Sequence, residues 1–124
     1  MLKTLPPLTT GPAFATPDTA RGAGAGHVAE IVRFKLIAGV SDAAFLDATA
    51  AMQPAVAAAP GFLSRRLSKG EGDVWTDYVV WTDLDHALAA ASEVFKDPAA
   101  QAFGAAIDGE SIDMRHEPIL WQPE

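Results

Sequence analysis

DVWTDYVVWTDLDHALAA, residues Asp73 to Ala90, changes its period partway along. From Val74 to Trp81 the chain alternates, with Trp75, Asp77, Val79 and Trp81 on one face and Thr76, Tyr78 and Val80 on the other, which is the pattern of a β-strand. Beyond it Leu84, Leu88, Ala91 and Phe95 recur at the spacing of one helical face. Thr82 and Asp85 stand at capping-box spacing, with Asp in place of the usual Glu or Gln, so the helix is expected to start there. A strand therefore passes directly into an amphipathic helix.

The flanking chain repeats this unit. Val28 to Leu36 sets Val28, Glu30, Val32, Phe34 and Leu36 against Ala29, Ile31, Arg33 and Lys35, a first strand. Ser41 offers an N-cap with Asp42 in the first turn, and Phe45, Thr49, Met52 and Val56 share a helical face that Pro54 is expected to bend. Pro60-Gly61 turns the chain into a second strand, Phe62 to Lys69, and Gly70-Glu71-Gly72-Asp73 makes a hairpin loop into the third. After the second helix, Asp97-Pro98 restarts a short helical segment carrying Phe103 and Ile107, and Gly109 ends it. Ile112 to Leu120 alternates again, with Pro118 favouring an edge position.

Strand, helix, strand, strand, helix, strand is the α+β, ferredoxin-like βαββαβ order. Right-handed crossovers give one four-stranded antiparallel sheet, ordered 4-1-3-2, with two helices on one face. The other face carries Ile31 and Val80 beside Arg33 and Tyr78, a surface better covered by a second copy than by water. The folded domain is expected over residues 27–124, and residues 1–26, with four prolines and a Gly/Ala run, read as a flexible leader.

Bulk properties narrow the function. At 124 residues the chain supports one domain, and its net charge of −7 opposes sequence-independent binding to nucleic acid or anionic lipid. Without cysteine there is no disulfide framework, thiolate nucleophile or Cys-ligated metal, and a cytoplasmic location fits. No apolar run approaches the length needed to span a bilayer.

Chemistry concentrates on one inward face. Glu30 on the first strand and His116 on the fourth are expected to share an interior, with Asp77 approaching Glu30 from the third strand. A carboxylate orients an imidazole and raises its proton affinity while apolar walls oppose either charge, so these three are the candidate catalytic groups. Trp75, Trp81, Phe34 and Met114 are the candidate walls for a small apolar or aromatic metabolite. Each group has a plainer reading. The Glu30–His116 pair also reads as two satisfied polar side chains, the tryptophans as core, Asp77 as the partner of Arg66 across the hairpin, and Tyr78 as an interface residue. His86 reads as a solvated turn residue and His27 has no evident partner. Metal-ligand spacing such as HxH or HExxH is absent, so neither metal nor other cofactor is expected.

The segments AEIVRFKL (Ala29 to Leu36), PGFLSRRL (Pro60 to Leu67), DVWTDYVVWTDLDHALAA and SIDMRHEPI (Ser111 to Ile119) resemble the dimeric α+β barrel superfamily, within it the antibiotic biosynthesis monooxygenase-like domains. The resemblance covers about residues 27 to 120 and implies a homodimer with one pocket per subunit between sheet and helices. It also implies a range of activities, from cofactor-free oxygenases of polycyclic phenols to haem-degrading enzymes, lactone isomerases and polyketide cyclases. The quinone-forming and haem-degrading branches use a pocket asparagine, and this chain contains no Asn, so their catalytic set does not carry over. The expectation is a cofactor-independent monooxygenase or isomerase acting on an aromatic or polyketide-like metabolite, or else a noncatalytic binding or assembly module.

Overall fold

The computed structural model describes residues 26–123, so the leader expected over residues 1–26 lies, apart from Gly26, outside the described residues. Four strands, β1 (Val28–Phe34), β2 (Phe62–Lys69), β3 (Trp75–Trp81) and β4 (Asp113–Pro118), form one antiparallel sheet in the order β2-β3-β1-β4. This is the expected 4-1-3-2 arrangement read from its other edge. The helices are α1 (Asp42–Ala58), α2 (Leu84–Val94) and α3 (Pro98–Ala105).

Local chemistry sets most boundaries. The Ser41 hydroxyl accepts the Ala44 N–H at 3.1 Å, capping α1. The helix carries Pro54 inside it and buries Phe45, Met52 and Val56 as expected. Asp97 caps α3 with Pro98 in its first turn. At Pro60-Gly61 the turn needs glycine twice over. Gly61 has φ +87°, and a Cβ there would lie 2.6 Å from Cβ and Cγ of His86.

Four expectations are corrected. The second helix is capped by Asp83, whose carboxylate accepts the His86 N–H at 2.9 Å, and not by Thr82 with Asp85. A carboxylate is a better cap than a hydroxyl at the positive helix terminus. The buried face of α2 is Ala87, Ala90 and Val94, while Leu88 is 52% exposed and Phe95 44%. Small side chains thus face the sheet, while Leu88 points away and Phe95 is only half covered. On β2 a bulge between Phe62 and Ser64 shifts the pairing, so that Phe62 opposes Trp81 but Ser64 opposes Val80 and Arg65 opposes Val79. Finally, β4 ends at Pro118, where the ring removes a backbone donor, and Leu120 is 90% exposed.

The core lies between sheet and helices. Phe45 stacks on Phe103 at 4.8 Å between ring centroids and meets Trp75 edge-on at 5.0 Å, while Phe34 meets Phe45 edge-on at 5.7 Å. These contacts fasten α1 and α3 to β1 and β3. Closer to α2 the packing is looser, and a cavity remains.

Candidate functional site

The register places side chains on the inner sheet face in rows. One row reads Arg65, Val79, Glu30, His116 across β2, β3, β1 and β4, and the next reads Leu67, Asp77, Val32, Met114. A polar row thus crosses an apolar sheet. Above it, Ala90, Ala91 and Val94 of α2 are too small to fill the space, leaving a cavity of about 260 Å³.

Its wall is mostly apolar, with Val32, Phe34, Met52, Val56, Val79, Phe103 and Ile107 among the lining residues. Phe95, Ile112 and Met114 also line it and are half exposed, so they frame its mouth. Three charged side chains enter this wall: Glu30, Arg65 and Asp77. For comparison, a dry apolar cavity of about 150 Å³ is large enough to take up benzene.

Glu30 is held from one side. Trp81 Nε1 donates to its Oε1 at 2.7 Å, and His116 Nε2 lies 4.0 Å from Oε2, beyond hydrogen-bond reach. Burial pushes the Glu30 carboxyl above its ordinary 4.5. The Trp81 hydrogen bond and the charges of His116 and Arg65 oppose that rise, and the charge of Asp77 adds to it. Desolvation prevails, so this carboxylate is a stronger base than one in water.

Asp77 has a different partner from those expected. Arg65 grips it in a fork, Nε to Oδ1 at 2.9 Å and Nη2 to Oδ2 at 2.7 Å, with only 6% and 10% of the two side chains exposed. Arg65 Nη1 also donates to Gln53 Oε1 at 3.1 Å, and the guanidinium lies 5.4 Å from the centre of the Phe103 ring. Arg66, the partner that a four-residue Gly70–Asp73 loop favours, opposes Tyr78 on the outer face because the hairpin pairs Lys69 with Trp75, one residue further on.

Of the expected site residues, Glu30, Asp77, Trp81, Phe34 and Met114 line the cavity. Trp75 and His116 fall outside its wall. Trp75 packs in the core against Phe45, and Lys69 Nζ stands 5.5 Å from its ring centre. His116 stands behind Glu30 on the edge strand, its Nε2 buried without a hydrogen-bond partner. Glu30, and not the imidazole, therefore faces the cavity. Sequence reasoning missed Arg65 and Gln53. The Arg65-Arg66 pair was visible, but choosing between them needs the hairpin register, in which Lys69 pairs with Trp75.

Elsewhere, His86 Nδ1 lies 2.8 Å from Asp83 Oδ1, with both side chains half exposed at the start of α2, in keeping with a solvated turn. His27 Nδ1 meets Gln122 Nε2 at 2.8 Å, a partner not anticipated. Among the described residues no three His, Asp or Glu side chains gather to hold a metal ion, and Asp77 is taken by Arg65. No helix among them is long and apolar enough to cross a membrane.

No family model matches the chain, and no curated protein does. Solved structures do match. A variant of SnoaB, a cofactor-independent oxygenase from Streptomyces nogalater, superposes with a TM-score of 0.65 at 23% identity, covering 81% of this chain and 100% of that one. A candidate antibiotic biosynthesis monooxygenase from Bordetella bronchiseptica gives 0.61 at 20% identity, over 77% of this chain and 99% of its own. One from Caulobacter crescentus gives 0.61 at 19%, over 77% and 92%. At these identities the likeness is one of architecture. The chain thus has the ferredoxin-like fold seen in these antibiotic biosynthesis monooxygenase-like proteins.

Proposed function

We propose that this protein binds a small, largely apolar or aromatic metabolite in the cavity between sheet and α2, and acts on it as a cofactor-independent monooxygenase or isomerase. The observation that carries this reading is Glu30: a carboxylate in an apolar cavity wall, fixed by the Trp81 N–H, with a proton affinity raised by burial. Such a group suits general-base chemistry near neutral pH better than a solvated carboxylate does.

In the proposed reaction Glu30 takes a proton from a phenolic or carbon acid whose ring lies against Val32, Phe34 and Val79. Trp81 keeps the carboxylate from rotating, so its Oε2 lone pairs face the substrate, and the imidazole of His116 beside it steadies the charge as it changes. The electron-rich anion then either bonds to O₂ through carbon, giving a peroxide that takes the proton back from Glu30 and loses water to leave a carbonyl, with the substrate supplying the electrons, or takes the proton back at another carbon, the first outcome an oxygenation and the second an isomerisation. The fold shared with SnoaB, a cofactor-independent oxygenase, supports the cofactor-free version. We further propose that it works as a homodimer in the cytoplasm, with the outer sheet face against a second copy.

The test is mass spectrometry of metabolites retained by the purified protein, followed by oxygen-uptake and isomerisation assays on each one found. Glu30→Gln should retain the fold and lower turnover about a hundredfold or more, the usual weight of a general base. A retained metabolite turned over equally well by the variant would show the carboxylate to be structural. A metabolite that is bound but never converted would favour the noncatalytic binding module.

A further inference from the structure

Resting on the cavity-binding reading, the next question is what the occupant must carry. Polar contacts on the wall are few, and most are spent. Both oxygens of Asp77 are taken by Arg65, and Oε1 of Glu30 is taken by Trp81. Arg65 has five N–H donors. Four are engaged, two with Asp77, one with Gln53 and a weak one with Met52 Sδ at 3.7 Å. The second Nη1 proton has no acceptor among the described residues. Two groups of the lining side chains have no partner at all: Oε2 of Glu30, an acceptor, and one Nη1 proton of Arg65, a donor.

They sit apart. Arg65 and Glu30 flank Val79 in one row across adjacent strands, so their Cα atoms are roughly 10 Å apart, two strand spacings. Between them the wall is apolar. The charges add to one negative when Glu30 is ionised, because Asp77 cancels Arg65. An anionic ligand would thus be desolvated with no free countercharge, while an uncharged one is not penalised.

We propose that the site recognises an uncharged, flat molecule of one or two rings at two points, a hydroxyl or N–H donating to Glu30 at one end and a carbonyl accepting from Arg65 at the other, and rejects carboxylates. Arg65 is then a specificity-determining residue, rigidly aimed because Asp77 and Gln53 hold its fork. The volume sets the size limit, since about 260 Å³ has no room for an extended ring system.

Four naphthalenes serve as probes: 6-acetyl-2-naphthol with both groups, 2-naphthol with the donor, 2-acetylnaphthalene with the acceptor, and 6-hydroxy-2-naphthoate with a carboxylate. Dissociation constants are measured by calorimetry for the full chain, Glu30→Gln, and Arg65→Met combined with Asp77→Leu. The double variant replaces the buried pair with apolar groups of similar size, a change that such sites tolerate. The two-ended probe should bind about tenfold or more tightly than either one-ended probe, and the carboxylate about tenfold more weakly than the two-ended probe. Glu30→Gln should erase its advantage over 2-acetylnaphthalene, and the double variant its advantage over 2-naphthol. Equal affinities for all four would overturn two-point recognition while leaving an apolar binding cavity. No binding by any probe to folded protein would overturn the cavity reading as well.

Discussion

At the scale of single residues, Glu30 and the Arg65–Asp77 pair carry opposite consequences for stability. A carboxyl whose folded pKa lies above its unfolded value binds a proton more readily when folded. Stability from Glu30 is thus complete below its ordinary 4.5 and is lost as pH rises through the raised folded value. Thermal melts of wild type and Glu30→Gln across pH 4 to 8 should show the variant gaining on the wild type as pH rises. A constant difference would mean that burial leaves the carboxyl unshifted. The ion pair behaves differently, because removing one partner strands a buried charge. Arg65→Ala should cost about 3–5 kcal/mol in denaturant unfolding, whereas Arg65→Met with Asp77→Leu should lie near wild type. The inward face of β1 and β3 made Glu30 and Asp77 legible from alternation alone. Their partners were not legible, since a 2.7 Å contact from Trp81 to Glu30 depends on a diagonal reach across strands that spacing does not encode.

At the scale of elements, periodicity reported what kind of element each segment forms, and irregularities decided which side faces in. The hairpin pairs Lys69 with Trp75 where a four-residue loop would pair it with Val74, a one-residue slip that turns Arg65 inward and Arg66 outward, and the bulge after Phe62 absorbs it. On α2 the large residues Leu88 and Phe95 drew the helical stripe, yet the buried face is made of Ala87, Ala90 and Val94. Hydrophobicity alone ranks leucine above alanine. A helix that must leave room beneath it buries the smaller residue instead. Filling that room should be measurable: Ala90→Leu is expected to abolish probe binding and to cost about 1–3 kcal/mol by overpacking, with calorimetry and chemical denaturation as readouts. The turn into β2 gives a separate check. Gly61→Ala should destabilise by at least about 1–2 kcal/mol, from its left-handed backbone alone, before the contact with His86 is counted.

Across the whole molecule, strand order, connection and layer arrangement were readable because each follows from the order of elements and the handedness of crossovers. The outer sheet face is the remaining consequence. Ala29, Ile31, Tyr78 and Val80 form its centre, with Arg33, Arg66 and Arg115 around them. If two copies pack through this face, light scattering should give twice the 13.0 kDa chain mass, and Ile31→Glu should give the single mass with the cavity intact. The account's central claim, however, is that the cavity around Glu30 is where ligand and chemistry meet. It is tested most directly by titrating the glutamate side-chain carboxyls by carbon-13 NMR, with the cavity empty and with 6-acetyl-2-naphthol bound, using Glu30→Gln for assignment. The account predicts one resonance, missing in the variant, that titrates above 4.5 when empty and moves when the probe binds. A Glu30 resonance at or below 4.5, unmoved by bound probe, would contradict it.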